Sequence, residues 1–142
     1  MNISNNKNDR NCCAVHALEH AGGFNFDEAQ AIFAALGRKL NKGTPIPIIE
    51  RALKLTLSTK RTNEFLGRTV RSVIDDLPTS GIFILHVRGH IFTYKDGVVE
   101  DWVESDSRRR IVDAWYISAK KTNARIEKTI ARGRKILSLS SS

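Results

Sequence analysis

Two β-rich runs, His90–Lys95 and Val98–Val103, are separated by the dipeptide Asp96-Gly97, and this spacing constrains the fold more than any other feature of the chain. Asp and Gly tolerate positive φ, which the mirror-image turn of a two-residue hairpin demands. The register follows: Phe92 opposes Asp101, and Asp101 lies diagonally beside His90 on one face of the sheet. Residues eleven apart in sequence thus become neighbours in space. Just upstream, Ile82–Val87 is almost continuously apolar between Gly81 and Gly89, the pattern of a buried strand, and Ile111–Ile117 supplies another.

Before Gly81 the apolar period is helical. Cys13–His20 reads as a short helix stopped by Gly22-Gly23, and Asn25 with Glu28 three residues on forms a capping box. Ala29, Ile32, Phe33 and Leu36 then mark one face of a helix ending at Gly37. Further helices are predicted over Pro47–Leu57, where proline occupies a first turn, and over Thr69–Leu77. At the far end, Lys120–Leu137 places Ile126, Ile130 and Leu137 on one face of a basic helix. Helices followed by an antiparallel sheet predict an α+β fold, one domain over residues 1–137 that includes the basic C-terminal helix, with Ser138–Ser142 as a fraying tail.

The length of 142 residues suits one domain. No apolar run approaches the roughly 20 residues that span a bilayer, and the polar opening Met1–Asn11 lacks a signal peptide's apolar segment, so neither a membrane association nor secretion is expected. The net charge of +8 is uneven: Met1–Ser105 holds thirteen basic and twelve acidic residues, Asp106–Ser142 ten and three. Arg108, Arg109, Arg110, Lys120, Lys121, Arg125 and Lys128, followed by Arg132, Arg134 and Lys135, could make a weak nucleic-acid contact, although a solvated face is the commoner meaning of such a run. The balanced first hundred residues argue against a protein built wholly around nucleic acid. The two cysteines, Cys12 and Cys13, are adjacent, which is too close for an ordinary disulfide and fits reduced thiols in a cytosol-like compartment.

A thiol at a helix start is well placed for nucleophilic work, because the unsatisfied N–H groups and the macrodipole favour a thiolate. Cys13 sits there, His90 opens the first hairpin strand, and Asp101 beside it would fix the tautomer and orientation of the imidazole. Asp113 is the fallback for that orienting role should the hairpin register differ, and Trp102 could shield the His90–Asp101 pair. The competing reading makes Cys13 an inert buried residue and His90 a turn histidine. A rival chemistry puts Cys13, His16 and His20, spaced i, i+3 and i+7 on one helix face, around a zinc ion.

Asn8-Asp9-Arg10-Asn11-Cys12-Cys13-Ala14-Val15-His16-Ala17-Leu18, followed by Gly22-Gly23 and Asp27-Glu28-Ala29, resembles the nucleophile-helix region of small papain-like cysteine peptidases of phages and bacteria. Phe83–His90, followed by Asp96–Trp102, is similar to that family's histidine strand and acidic third member. The resemblance covers Asn8–Trp102 in the order Cys, His, Asp, and it selects Cys13 over Cys12. It implies a papain-like α+β fold and a catalytic triad of Cys13, His90 and Asp101, with the Cys13 N–H and Asn8 or Asn11 receiving the oxyanion. It further implies thiol-dependent hydrolysis of an amide or isopeptide bond in a protein or peptide substrate. No metal or organic cofactor is needed, and the setting is the cytoplasm, that of a bacterial host if phage-encoded. The alternatives are a papain-like binding module without catalysis and a nucleic-acid-binding protein acting through the basic C-terminal region.

Overall fold

The computed structural model describes residue 9, residues 11–100 and residues 108–140. In chain order its elements are α1 (Cys13–Gly22), α2 (Phe26–Ala35), α3 (Ile46–Thr56), β1 (Leu57–Thr62), α4 (Val70–Asp76), β2 (Ile82–Val87), β3 (His90–Lys95), β4 (Val98–Val99), β5 (Ile111–Lys120) and α5 (Ala124–Ser140). The strands form one antiparallel sheet in the order β1-β5-β2-β3-β4, so the fold is α+β. Among the described residues no helix is long and apolar enough to cross a membrane.

The local signals act as physical chemistry requires. Asn25 accepts from the Glu28 N–H at 2.8 Å while the Glu28 carboxylate accepts from the Asn25 N–H at 3.0 Å, a complete capping box that starts α2. At the hairpin, Asp96 (φ 49°) and Gly97 (φ 87°) both take positive φ, as a type I′ turn needs. Tyr94 pairs with Val99 and Lys95 with Val98, and the Glu100 N–H donates to the Thr93 carbonyl at 2.8 Å, so the expected register holds through Glu100. β4 itself ends at Val99, with Glu100 in a turn, short of the strand expected as far as Val103; Asp101, Trp102 and Val103 lie outside the described residues.

Three differences from expectation stand out. The third helix ends at Thr56 rather than Leu57, and Leu57 opens a strand not expected from the sequence, β1, which pairs along β5 from Leu57–Lys120 to Thr62–Ala114. Its sequence, Leu-Ser-Thr-Lys-Arg-Thr, is polar because β1 is an edge strand, where little beyond Leu57 must be buried. The pairing draws β5 out to Lys120, three residues past Ile117, so the last helix starts at Ala124 rather than Lys120. That helix continues through Ser140, beyond the expected end at Leu137; Ser141 and Ser142 lie outside the described residues.

Each face of the sheet carries its own core. On one, α1, α2, α3 and α5 pack against Ile84, Ile91, Trp115 and Ile117; on the other, Phe65 and α4 cover Phe83, Leu85, Val87, Phe92 and Tyr94. Gly133 of α5 meets α2 so closely that a Cβ there would lie 1.7 Å from the Ala31 carbonyl oxygen. The buried Thr93 hydroxyl of β3 donates to the Ala17 carbonyl of α1 at 2.8 Å, which ties the helix that begins with Cys13 to the strand that begins with His90.

Candidate active site

Cys13 is the first residue of α1, with Cys12 at the N-cap and no side chain capping the first turn. The opening N–H groups are therefore left to other acceptors. The packing of α1 on β3 brings the Cys13 thiol up to the His90 side chain and to the backbone N–H groups of Ile91 and Ala14, all of which favour its thiolate. Burial pushes this thiol up, but the His90 ring, the two backbone N–H groups and the charge that ring carries when protonated outweigh it, and the pKa falls below the ordinary thiol value. The His90 ring stacks on Phe92, centroids 5.4 Å apart, which limits its rotation.

Cys12 has the opposite environment. Its Sγ is 3.7 Å from the Asp9 carbonyl oxygen, and burial together with the Asp9 charge pushes its pKa up despite Arg38. Of two neighbouring sulfurs, one faces a carbonyl oxygen and a carboxylate charge and the other an imidazole.

The segment entering α1 is anchored by a network that sequence reasoning missed. The Asp9 carboxylate, with no exposed side-chain surface, accepts a bidentate pair from Arg38 at 2.7 and 3.0 Å, one bond from Gln30 at 3.0 Å and one from the Asn41 N–H at 2.6 Å. Arg38, whose side chain is 2% exposed, also donates to the Lys42 carbonyl at 3.1 Å. Burial raises the Asp9 pKa, but the bonds from Arg38, Asn41 and Gln30 prevail and hold it below the usual carboxylate value. The two partners are 29 residues apart, and Asp, Arg and Gln are unremarkable in a sequence; the one legible hint was a polar Gln30 among the apolar residues of α2.

The remaining expected residues divide. Asn11, at φ 57°, donates its side-chain N–H to the Asn41 carbonyl at 2.9 Å, so the amide is engaged with the same loop that Asp9 grips. Asn8 lies outside the described residues. Asp113 bonds to Arg61 at 2.9 Å and stands 3.5 Å from Nδ1 of His86, its cross-strand partner. His16 and His20 face Glu19 at 3.1 Å and Glu100 at 3.0 Å, and among the described residues no group of three or more His, Cys, Asp or Glu side chains is gathered to hold a metal ion.

The basic residues do not form one patch. Arg108–Arg110 precede β5 at the end of the sheet near the β2–β3 turn, where Arg109 donates to the Arg88 carbonyl at 2.8 Å and Arg110 to the Gly67 carbonyl at 2.6 Å. Lys120 and Lys121 are at the opposite end of β5, and the strand's ten residues separate the two groups by about 30 Å. Lys120 lies over the Phe24 ring at 4.1 Å, Lys121 donates to the Lys54 carbonyl at 2.6 Å, and Arg125 and Lys128 are exposed on α5. No family model, curated protein or solved structure matches this chain.

Proposed function

We propose that the chain is a papain-like cysteine hydrolase that cleaves an amide or isopeptide bond in a protein or peptide. The observation that carries this reading is the juxtaposition of the Cys13 thiol at the head of α1 and the His90 imidazole at the head of β3, close enough for the imidazole to favour the thiolate. The Cys13 thiolate attacks the carbonyl carbon, and the oxygen takes up negative charge against the first-turn N–H groups, with Asn8 or Asn11 as the second donor. The His90 imidazolium then protonates the leaving amine as the C–N bond breaks. In the second half His90 takes a proton from water, the hydroxide displaces Cys13 from the thioester, and the products are a carboxylic acid and the restored thiolate–imidazolium pair. Asp101 is the proposed orienter of His90, supported by a hairpin register that runs intact to its neighbour Glu100. The residues require no cofactor for this chemistry, and the proposed setting is the cytoplasm, that of a bacterial host if the chain is phage-encoded.

The test is mass-spectrometric labelling by a thiol-reactive probe at neutral pH. Rapid modification is expected at Cys13, abolished by Cys13→Ala, retained in Cys12→Ala and slowed about tenfold or more in His90→Ala. Rapid labelling that follows Cys12, or that ignores His90, overturns the proposal.

A further inference from the structure

A second feature owes nothing to the thiol. Between α3, α5 and the end of α2 runs a groove of about 530 Å³. Arg51 and Lys54 of α3 and Arg125 and Arg132 of α5 line it, over the partly buried Leu36 and Leu55, which pack on the helical core. All four cations are exposed, and no carboxylate lines the groove. Of the acidic residues of the same helices, Glu50 is committed to Arg61 at 2.9 Å, Asp27 to Arg134 at 2.8 Å and Glu28 to the cap of α2, while Glu127 lines a separate cavity beside Phe24 and Lys120. Among the described residues none of the four is paired with a carboxylate.

Four like charges facing one another across a groove repel, and an anion between them relieves that repulsion. The stripe on α5 says what kind of anion. Arg125, Lys128, Arg132 and Lys135 stand at i, i+3, i+7 and i+10, all exposed, within an arc of about 80° at 3.6 residues per turn. Ile126, Ile130, Gly133 and Leu137 on the other side of the helix are buried. The cations thus continue along the helix beyond the groove, matching a ligand whose negative charges repeat along its length. We infer that this groove and its stripe bind the sugar-phosphate backbone of a single-stranded nucleic acid. A single strand can lay an unpaired base against the partly buried Leu36 and Leu55, a contact that a duplex, with its bases paired and stacked inside, does not offer. Neither Arg51 nor Lys54 belongs to the C-terminal basic run; the fold recruits them from α3.

Fluorescence anisotropy of labelled twenty-nucleotide oligo-dT and oligo-rU tests this with the full chain between 50 and 200 mM KCl, conditions in which about six neutralised phosphates give a log–log salt slope near −4 for a single strand. Arg125→Gln/Arg132→Gln is expected to reduce that slope by about a third and weaken binding about tenfold or more at the low-salt end. Arg68→Gln/Arg71→Gln, which removes the same net charge beside α4 on the opposite face of the sheet, is expected to change affinity less than about twofold. Melting curves establish that both variants fold, and Cys13 labelling is expected to be the same in both, so this result is read apart from the hydrolase proposal. Absence of binding at 50 mM KCl, equal losses in the two variants, or equal competition by a poly-glutamate chain or phosphatidylserine vesicles overturns the inference.

Discussion

Cys12 and Cys13 share a peptide bond and are both partly buried, yet their pKa values move in opposite directions. Desolvation opposes the thiolate in both, so the difference lies in what each sulfur faces: the Asp9 carbonyl and charge for one, His90 and two backbone N–H groups for the other. The rate of alkylation of Cys13 by iodoacetamide is therefore expected to stay high below the ordinary thiol range, and that of Cys12 to rise only above it. In His90→Ala the Cys13 profile should move back up, and its rate near neutrality should fall by about tenfold or more as the thiolate fraction drops. The lowered pKa bears on stability as well. With its folded pKa below the unfolded value, near 9.0, the Cys13 thiol contributes stability that is present above that value and fades as the pH falls through the folded pKa. Of the site, Cys13 and His90 were legible because a helix start and a hairpin are local patterns. The choice between the two sulfurs was not legible from local pattern, since it depends on contacts with residues 9, 38, 90 and 91.

At the scale of elements, short-range signals decided which predictions held. The capping box of α2, the prolines opening α3 and the Asp96-Gly97 turn all act within a few residues, and each gave its element nearly in place. β1 was invisible because its polar sequence becomes a strand only by pairing with β5, more than fifty residues later. α5 shows the same dependence on distant structure. Gly133 weakens an isolated helix by about 1 kcal/mol relative to Ala, yet here it lets the backbones of α5 and α2 approach. Gly133→Ala would gain that propensity and place a methyl group 1.7 Å from the Ala31 oxygen. A backbone atom cannot rotate away, so α5 must shift off α2, and a net loss of about 2 kcal/mol or more is expected. Thermal unfolding checks this; a Gly133→Ala variant as stable as the wild type would mean that α5 does not sit so closely on α2.

Across the whole molecule, four helices on one sheet face and α4 on the other bury two cores, and the candidate site stands where the head of α1 meets the head of β3. Packing of α1 alone leaves the chain before Cys13 undefined; the Asp9–Arg38 pair defines it by clamping that segment to the end of α2 and the loop that follows. Both side chains are almost wholly out of water, so losing one charge strands the other. Asp9→Asn is expected to cost about 3–5 kcal/mol, whereas Asp9→Leu with Arg38→Met, which removes both charges, should recover most of that loss. The Asp9 carboxyl is held below its ordinary 3.8, so its contribution is present above that value and is lost as the pH falls through the folded pKa. The stability gap between wild type and Asp9→Asn, measured by denaturant titration, should therefore be widest near neutrality and narrow in strong acid. If the clamp also sets the approach to Cys13, the double variant will fold but label more slowly at that sulfur than the wild type. Equal labelling rates would confine the ion pair to holding the segment before α1 in place, with the head of α1 positioned by its contacts with β3 alone.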